Sequence, residues 1–144
     1  MDTLSAEPQL VIVLHRLGEY VEAEALSRGA LEQMRRIPGR DDRETFLVSA
    51  NLAASLPGQG KHAAAAEIQR EVLASATRLL GAEHQETFIK ATSLACSFSQ
   101  CGQKMESEQI LRETLALCRR TLGPAHELTQ LVLRQVLALA QAAR

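Results

Sequence analysis

Histidine and cysteine are the side chains here with the chemistry to hold a metal or attack a substrate, and the chain carries four of one and three of the other. Their spacing favours neither role. His84 and His126 lie 42 residues apart. If that interval is one structural repeat, as the pattern below indicates, the two sit on stacked helices about 8–10 Å apart, whereas two imidazoles on one zinc bring their nitrogens to about 2 Å from it. His15 and His62 belong to no recognisable ligand motif. Cys96, Cys101 and Cys118 show neither the paired spacing of a zinc site nor the surroundings of a nucleophile. A cysteine on a helix is usually a small buried apolar group. The expectation is no metal, no cofactor and no catalytic residue, so not an enzyme.

The elements that place these side chains are read from an internal repeat. Gly18, Gly60 and Gly102 recur every 42 residues, and Gly39, Gly81 and Gly123 keep the same interval. Thr3, Thr45, Thr87 and Thr129 share it, as do the apolar residues Leu10, Leu52, Leu94 and Val136. Between the glycines the apolar positions have helical period, as in Leu52, Ala53 and Leu56, then Ile68, Val72 and Leu73. Each unit therefore reads as helix A, a turn at the first glycine, and helix B running to the second. Basic residues at Arg35-Arg36, Arg78 and Arg119-Arg120 precede the second glycine, where they complement the negative end of helix B. Asp42, His84 and His126 share the position just before the next A helix, where a side-chain acceptor can cap a free N–H. Pro8 is expected in the first turn of the first A helix, and Pro57-Gly58 is expected to end the second one early. The reading is an all-α single domain over residues 1–144, with repeats near 3–44, 45–86 and 87–128 and a terminal half repeat 129–144. That makes about three and a half helix-turn-helix repeats and seven helices.

The segments LGEYVEAEAL, QGKHAAAAEI and CGQKMESEQI, each followed by a long helix and then PGRDD, LGAEH or LGPAH, resemble the tetratricopeptide repeat (TPR) in the 42-residue form found in kinesin light chains. Leu52-Ala53 and Leu94-Ala95 match the family's helix A pair. Ala23, Ala65 and Ser107 match its small residue in helix B where the helices cross. The family's proline after the loop histidine is replaced by Gln85 and Glu127. The resemblance implies a right-handed α-α superhelix, a TPR-like solenoid with a concave side lined by A helices. By position it assigns partner contacts to Gln9, Asn51, Ser93 and Gln135, one per repeat, with Thr92 and Arg134 beside them. Neighbouring lining positions are Ala50, Ala54, Ile89, Cys96, Leu131 and Ala138.

Asn51 lies among Leu47, Val48 and Leu52, and a lone amide in such a helix needs a hydrogen-bond partner that an extended peptide backbone offers. The alternative is that these amides face water across an empty groove. Of the charged set that grips chaperone C-terminal tails in some TPR domains only Asn51 is matched. Pro8, Ile12, Ile89 and Ser93 hold the other positions, so such tails are expected not to bind. The last helix spreads apolar surface beyond one stripe, and Leu137 stands where other units have a small residue. This predicts a docking end at Leu133 and Leu137 for a partner subunit, a second copy or further sequence.

Sixteen basic and seventeen acidic side chains leave a net charge of -1, which favours neither nucleic acid nor anionic membrane. No apolar run reaches the length that spans a bilayer, no basic region precedes the first apolar stretch, and the odd cysteine count suits a reducing compartment. The chain is expected to be cytoplasmic, to have no nucleic-acid or membrane partner, and to hold a protein or peptide as scaffold or adaptor. Its other reading is a permanent subunit of a larger assembly.

Overall fold

The structure is a computed structural model that describes residues 18–37 and 42–142. Among these residues there are six α-helices and no strand: α1 Tyr20–Arg35, α2 Asp42–Ser55, α3 His62–Leu80, α4 Gln85–Gln100, α5 Lys104–Thr121 and α6 Glu127–Ala142. A 3-10 turn, Pro57–Gln59, follows α2. The sequence predicts seven helices; the remaining one, the first A helix, falls on residues 1–17, outside the described residues, as do Gln9 and Pro8. In repeat terms α2, α4 and α6 are A helices, and α1, α3 and α5 are B helices. No helix among the described residues is long and apolar enough to cross a membrane. Contacts divide the chain into two compact units, Met1–Val72 and Leu73–Arg144, with the boundary inside α3.

In the first unit α1 packs against α2, and the 3-10 turn touches both. Ala30, Leu31, Met34, Val48 and Leu52 form the core, with Ile68 of α3 against it. Pro57 opens the 3-10 turn and α2 ends at Ser55, the early stop the sequence predicts, since proline cannot donate to the helix ladder. Gly58 lies so close to the Tyr20 ring that a Cβ would enter it. Gln59 then ties the turn to α1: its Nε2 donates to the Glu24 carboxylate at 2.9 Å, to the Ser55 carbonyl at 2.8 Å and to the Tyr20 carbonyl at 3.3 Å. Lys61 and Arg28 complete the cluster, reaching Glu24 at 2.9 and 2.8 Å.

In the second unit α4 packs on α5, and α5 on α6. Phe88, Ala95, Leu111, Leu115, Cys118, Leu128, Val132 and Val136 form one core. The predicted small residues sit at the crossing. Ala95 and Ser107 are fully buried, and Ser107 Oγ donates to the Ala95 carbonyl at 2.6 Å, an approach that larger side chains would prevent. The described residues of both glycine series have φ between +76 and +100°. At Gly60 and Gly102 the consequence is one shared motif: the N–H of Lys61 reaches the Leu56 carbonyl at 3.1 Å, and that of Gln103 the Phe98 carbonyl at 2.8 Å. One member of the threonine series acquires a cause, while Thr129 Oγ1 at the same register is buried with no hydrogen-bond partner among the described residues. Thr87 Oγ1 donates to the Gly81 carbonyl at 2.7 Å, pinning the start of an A helix to the end of the preceding B helix.

Candidate functional site

The site rests on how α4 and α6 begin. His84 is the N-cap of α4, with Nδ1 accepting from the Glu86 N–H at 3.1 Å. His126 does the same before α6, accepting from the Leu128 N–H at 3.1 Å. These are the two histidine caps the sequence predicts. Thr92 Oγ1 and Gln130 Nε2 donate to the Phe88 and Pro124 carbonyls, so both are committed within their own helix or turn.

Between the facing sides of these two A helices lies an open groove of about 740 Å³. Gln85 and Ile89 of α4 form one wall, and Leu131 and Arg134 of α6 the other, with His126 and Glu127 also in the lining. Ile89 and Leu131 are large aliphatic side chains left 37% and 39% exposed. Farther along the same helices a smaller cavity of about 260 Å³ is lined by Cys96 and Ser99 of α4 and by Gln135, Ala138 and Leu139 of α6, over Ser107 and Leu111 of α5. Arg134 is exposed and makes no ion pair among the described residues. Glu127 lies in the first turn of α6, where the helix dipole compensates a negative charge. The lining thus offers the aliphatic Ile89 and Leu131, the exposed guanidinium of Arg134, and amides and hydroxyls able to pair with a peptide backbone.

Of the sequence-assigned residues, Arg134 lines the larger groove and Gln135 the smaller cavity. Ser93 is half-buried and lines neither. Thr92 departs from the expectation of a partner contact, because it is buried with its hydroxyl already bonded to Phe88. Asn51 is half-buried in the first unit, and Gln9 lies outside the described residues. At the predicted docking end Leu133 packs partly against the core of the second unit, while Leu137 is 52% exposed. Its register equivalents Ala53 and Ala95 are buried.

Of the aliphatic row Leu47, Ile89 and Leu131, the sequence reading names Ile89 and Leu131 as lining positions and leaves out Leu47. The three share one repeat position, and Leu47 is 55% exposed. Their 42-residue spacing was the available signal. The sequence also had no means of placing Lys104, which belongs to a B helix yet lines the smaller cavity.

Cys118 is fully buried, and burial pushes its thiol up, away from the thiolate a nucleophile needs. Cys96 is exposed and Cys101 half-buried. Among the described residues no cluster of three or more His, Cys, Asp and Glu side chains has metal-site geometry.

The tetratricopeptide repeat family profile matches residues 2–78, and a second profile of the same repeat matches residues 91–127. No curated protein matches the sequence at a significant level. Among solved structures the chain is similar to BtubC (BKLC) from P. vanneervenii, with 21% identity and a TM-score of 0.76 over 93% of this chain and 53% of that one. It is also similar to the nearly identical TPR-like repeats described as those of a kinesin light chain from Podosopora anserina. There the identity is 20% and the TM-score 0.82, over 97% of this chain and 66% of that one. The TPR domain of Arabidopsis FLU aligns with 20% identity and a TM-score of 0.70, over 81% of this chain and 95% of that one. The chain therefore spans from about half to two thirds of the length of the first two. At these identities the likeness establishes the fold, an all-α TPR-like solenoid. With the repeat profile covering more than half of its residues, the chain belongs to the tetratricopeptide repeat family, whose members are protein-interaction modules.

Proposed function

We propose that this chain is a scaffold or adaptor of the cytoplasm that holds a peptide or partner protein against its A helices, and that the groove between α4 and α6 is the principal seat. The observation that carries the reading is the pair Ile89 and Leu131, aliphatic, exposed and facing one open groove beside the exposed Arg134. Exposed apolar side chains in a concave lining are the usual anchors of a binding surface, and polar neighbours fix orientation. Asn51 of the first unit, Ser93 and Gln135 of the second, and Gln9 are assigned to partner contact by repeat position. The chain as a single domain belongs to the same proposal.

The test is a pull-down from native extract with the full tagged chain, comparing wild type, the double variant Ile89→Asp/Leu131→Asp, and Asn51→Ala. Capture of a defined set of proteins should fall about tenfold or more with the double variant. It should weaken about fivefold with Asn51→Ala, one lost hydrogen bond. Undiminished capture by the double variant would remove the groove from the account.

A second reading, a permanent subunit held through its last helix, is favoured by Leu137. A leucine at the position where Ala53 and Ala95 are buried leaves apolar surface on α6 that neither α4 nor α5 covers.

A further inference from the structure

We infer that the occupant of this groove is an extended segment of a partner protein that carries one aliphatic side chain between a basic and an acidic one. The inference rests on the groove reading given above and adds the chemistry of what fills it.

Glu127, Leu131 and Arg134 stand at positions i, i+4 and i+7 of α6, which puts them on one face of the helix, and all three line the groove. Glu127 and Arg134 are both exposed, and neither makes an ion pair among the described residues. The opposite wall adds no charge, since α4 contributes Gln85 and Ile89. At the α4 position equivalent to Arg134 stands Thr92, which is buried. The groove therefore presents a carboxylate at one end and a guanidinium at the other. Leu131 lies between them along α6, and Ile89 lies in the facing wall.

This pattern sets the order and spacing of what fits. Seven residues of helix separate the two charges by about 10 Å along the axis. In an extended chain the side chains on one face recur every second residue, so the first, third and fifth positions span about 13 Å. The flexible stem of a lysine takes up the difference. A segment with two acidic side chains sets one carboxylate against Glu127, and a segment with two basic ones sets a cation against Arg134; both place like charges together. The Gln85 amide is exposed beside the aliphatic pair and can donate to and accept from the backbone of the segment. Exposed ion pairs are weak, so burial of the aliphatic side chain supplies the attraction and the charges select the sequence order. Part of the Glu127 charge is already offset by the positive end of α6, which makes Arg134 the stronger arm.

The experiment titrates the full chain near pH 7 and at low salt with capped peptides, followed by nitrogen–proton NMR. The peptides are acetyl-GKALADG-amide, its reversed order acetyl-GDALAKG-amide, the neutral acetyl-GQALAQG-amide and the all-acidic acetyl-GDALADG-amide. One mixed order should move the Ile89 and Leu131 amides and bind about fivefold more tightly than the neutral peptide, the effect of two exposed pairs. Salt at about 0.5 M should erase that advantage. Arg134→Gln should remove more of it than Glu127→Gln, and Glu127→Lys/Arg134→Glu should transfer it to the other order. The single variants keep the test decisive if the double one does not fold. Equally tight binding of the neutral peptide at the same amides would overturn the inference and leave the groove in place, as would tighter binding of the all-acidic peptide. If no peptide moves those amides, the groove reading falls together with the inference.

Discussion

Glu24 is the residue whose surroundings have the clearest energetic consequence. Its side chain is only 12% exposed, and hydrogen bonds from Lys61, then Arg28, then Gln59 lower its carboxyl from 4.5 to about 2, with partial burial opposing them. Because the folded state favours the ionised form, this stabilisation is complete above about pH 4.5 and is lost as the pH falls towards 2. Lys61 and Arg28 are about half exposed, so water screens much of the attraction and about 1 kcal/mol survives. Glu24→Gln should accordingly destabilise by about 1 kcal/mol in urea unfolding at pH 7, with the difference from wild type gone near pH 2. Size at one repeated position gives a second test. Ala95→Leu drives a large side chain into the Ser107 crossing and should cost about 3 kcal/mol, whereas Leu137→Ala, at the same register but half exposed, should cost less than about 1 kcal/mol.

Among the elements, the A-to-B turns are the stiffest requirement. Gly102 adopts φ +88° with open space around its absent Cβ, so a substitution meets no clash and only the backbone conformation is strained. Gly102→Ala should cost roughly 1–2 kcal/mol without changing the denaturant slope, because the helices on either side remain intact. The capping positions behave differently. A neutral imidazole is a weaker acceptor than a carboxylate, yet at His84 and His126 it satisfies the same N–H, so the two helices start where the sequence places them.

For the whole molecule, the competing uses of α6 can be separated. One of its sides contributes Leu131 and Arg134 to the groove, while Leu137 is exposed and lines neither the groove nor the smaller cavity. If the last helix is a docking end, Leu133→Glu/Leu137→Glu should lower the mass found by sedimentation, alone or with captured partner, while groove binding at Ile89 and Leu131 persists. An unchanged mass in both cases would leave the groove as the working surface. Leu133 is half buried against the core, so Leu137→Glu alone is the control that separates lost docking from lost stability.

Periodicity alone determined the helix pairs, their bends and their crossing residues, because a repeat states each local requirement several times: positive φ at one glycine register, a small side chain at one crossing, an acceptor before α4 and α6, though not before α2, which already begins at Asp42. The early end of α2 was equally local, a proline that no helix interior accepts. Exposure was a different matter, since it depends on which neighbour covers a side chain. Thr92 and Arg134 share a register, yet one is buried with its hydroxyl bonded and the other stands free in the groove. Ile89 and Leu131 are assigned to the lining by register, but their degree of exposure, and that of Leu47, was set by packing. Tertiary structure therefore decided which faces of these helices remain available to a partner, for burial is a property of pairs of elements and is not written in either one alone.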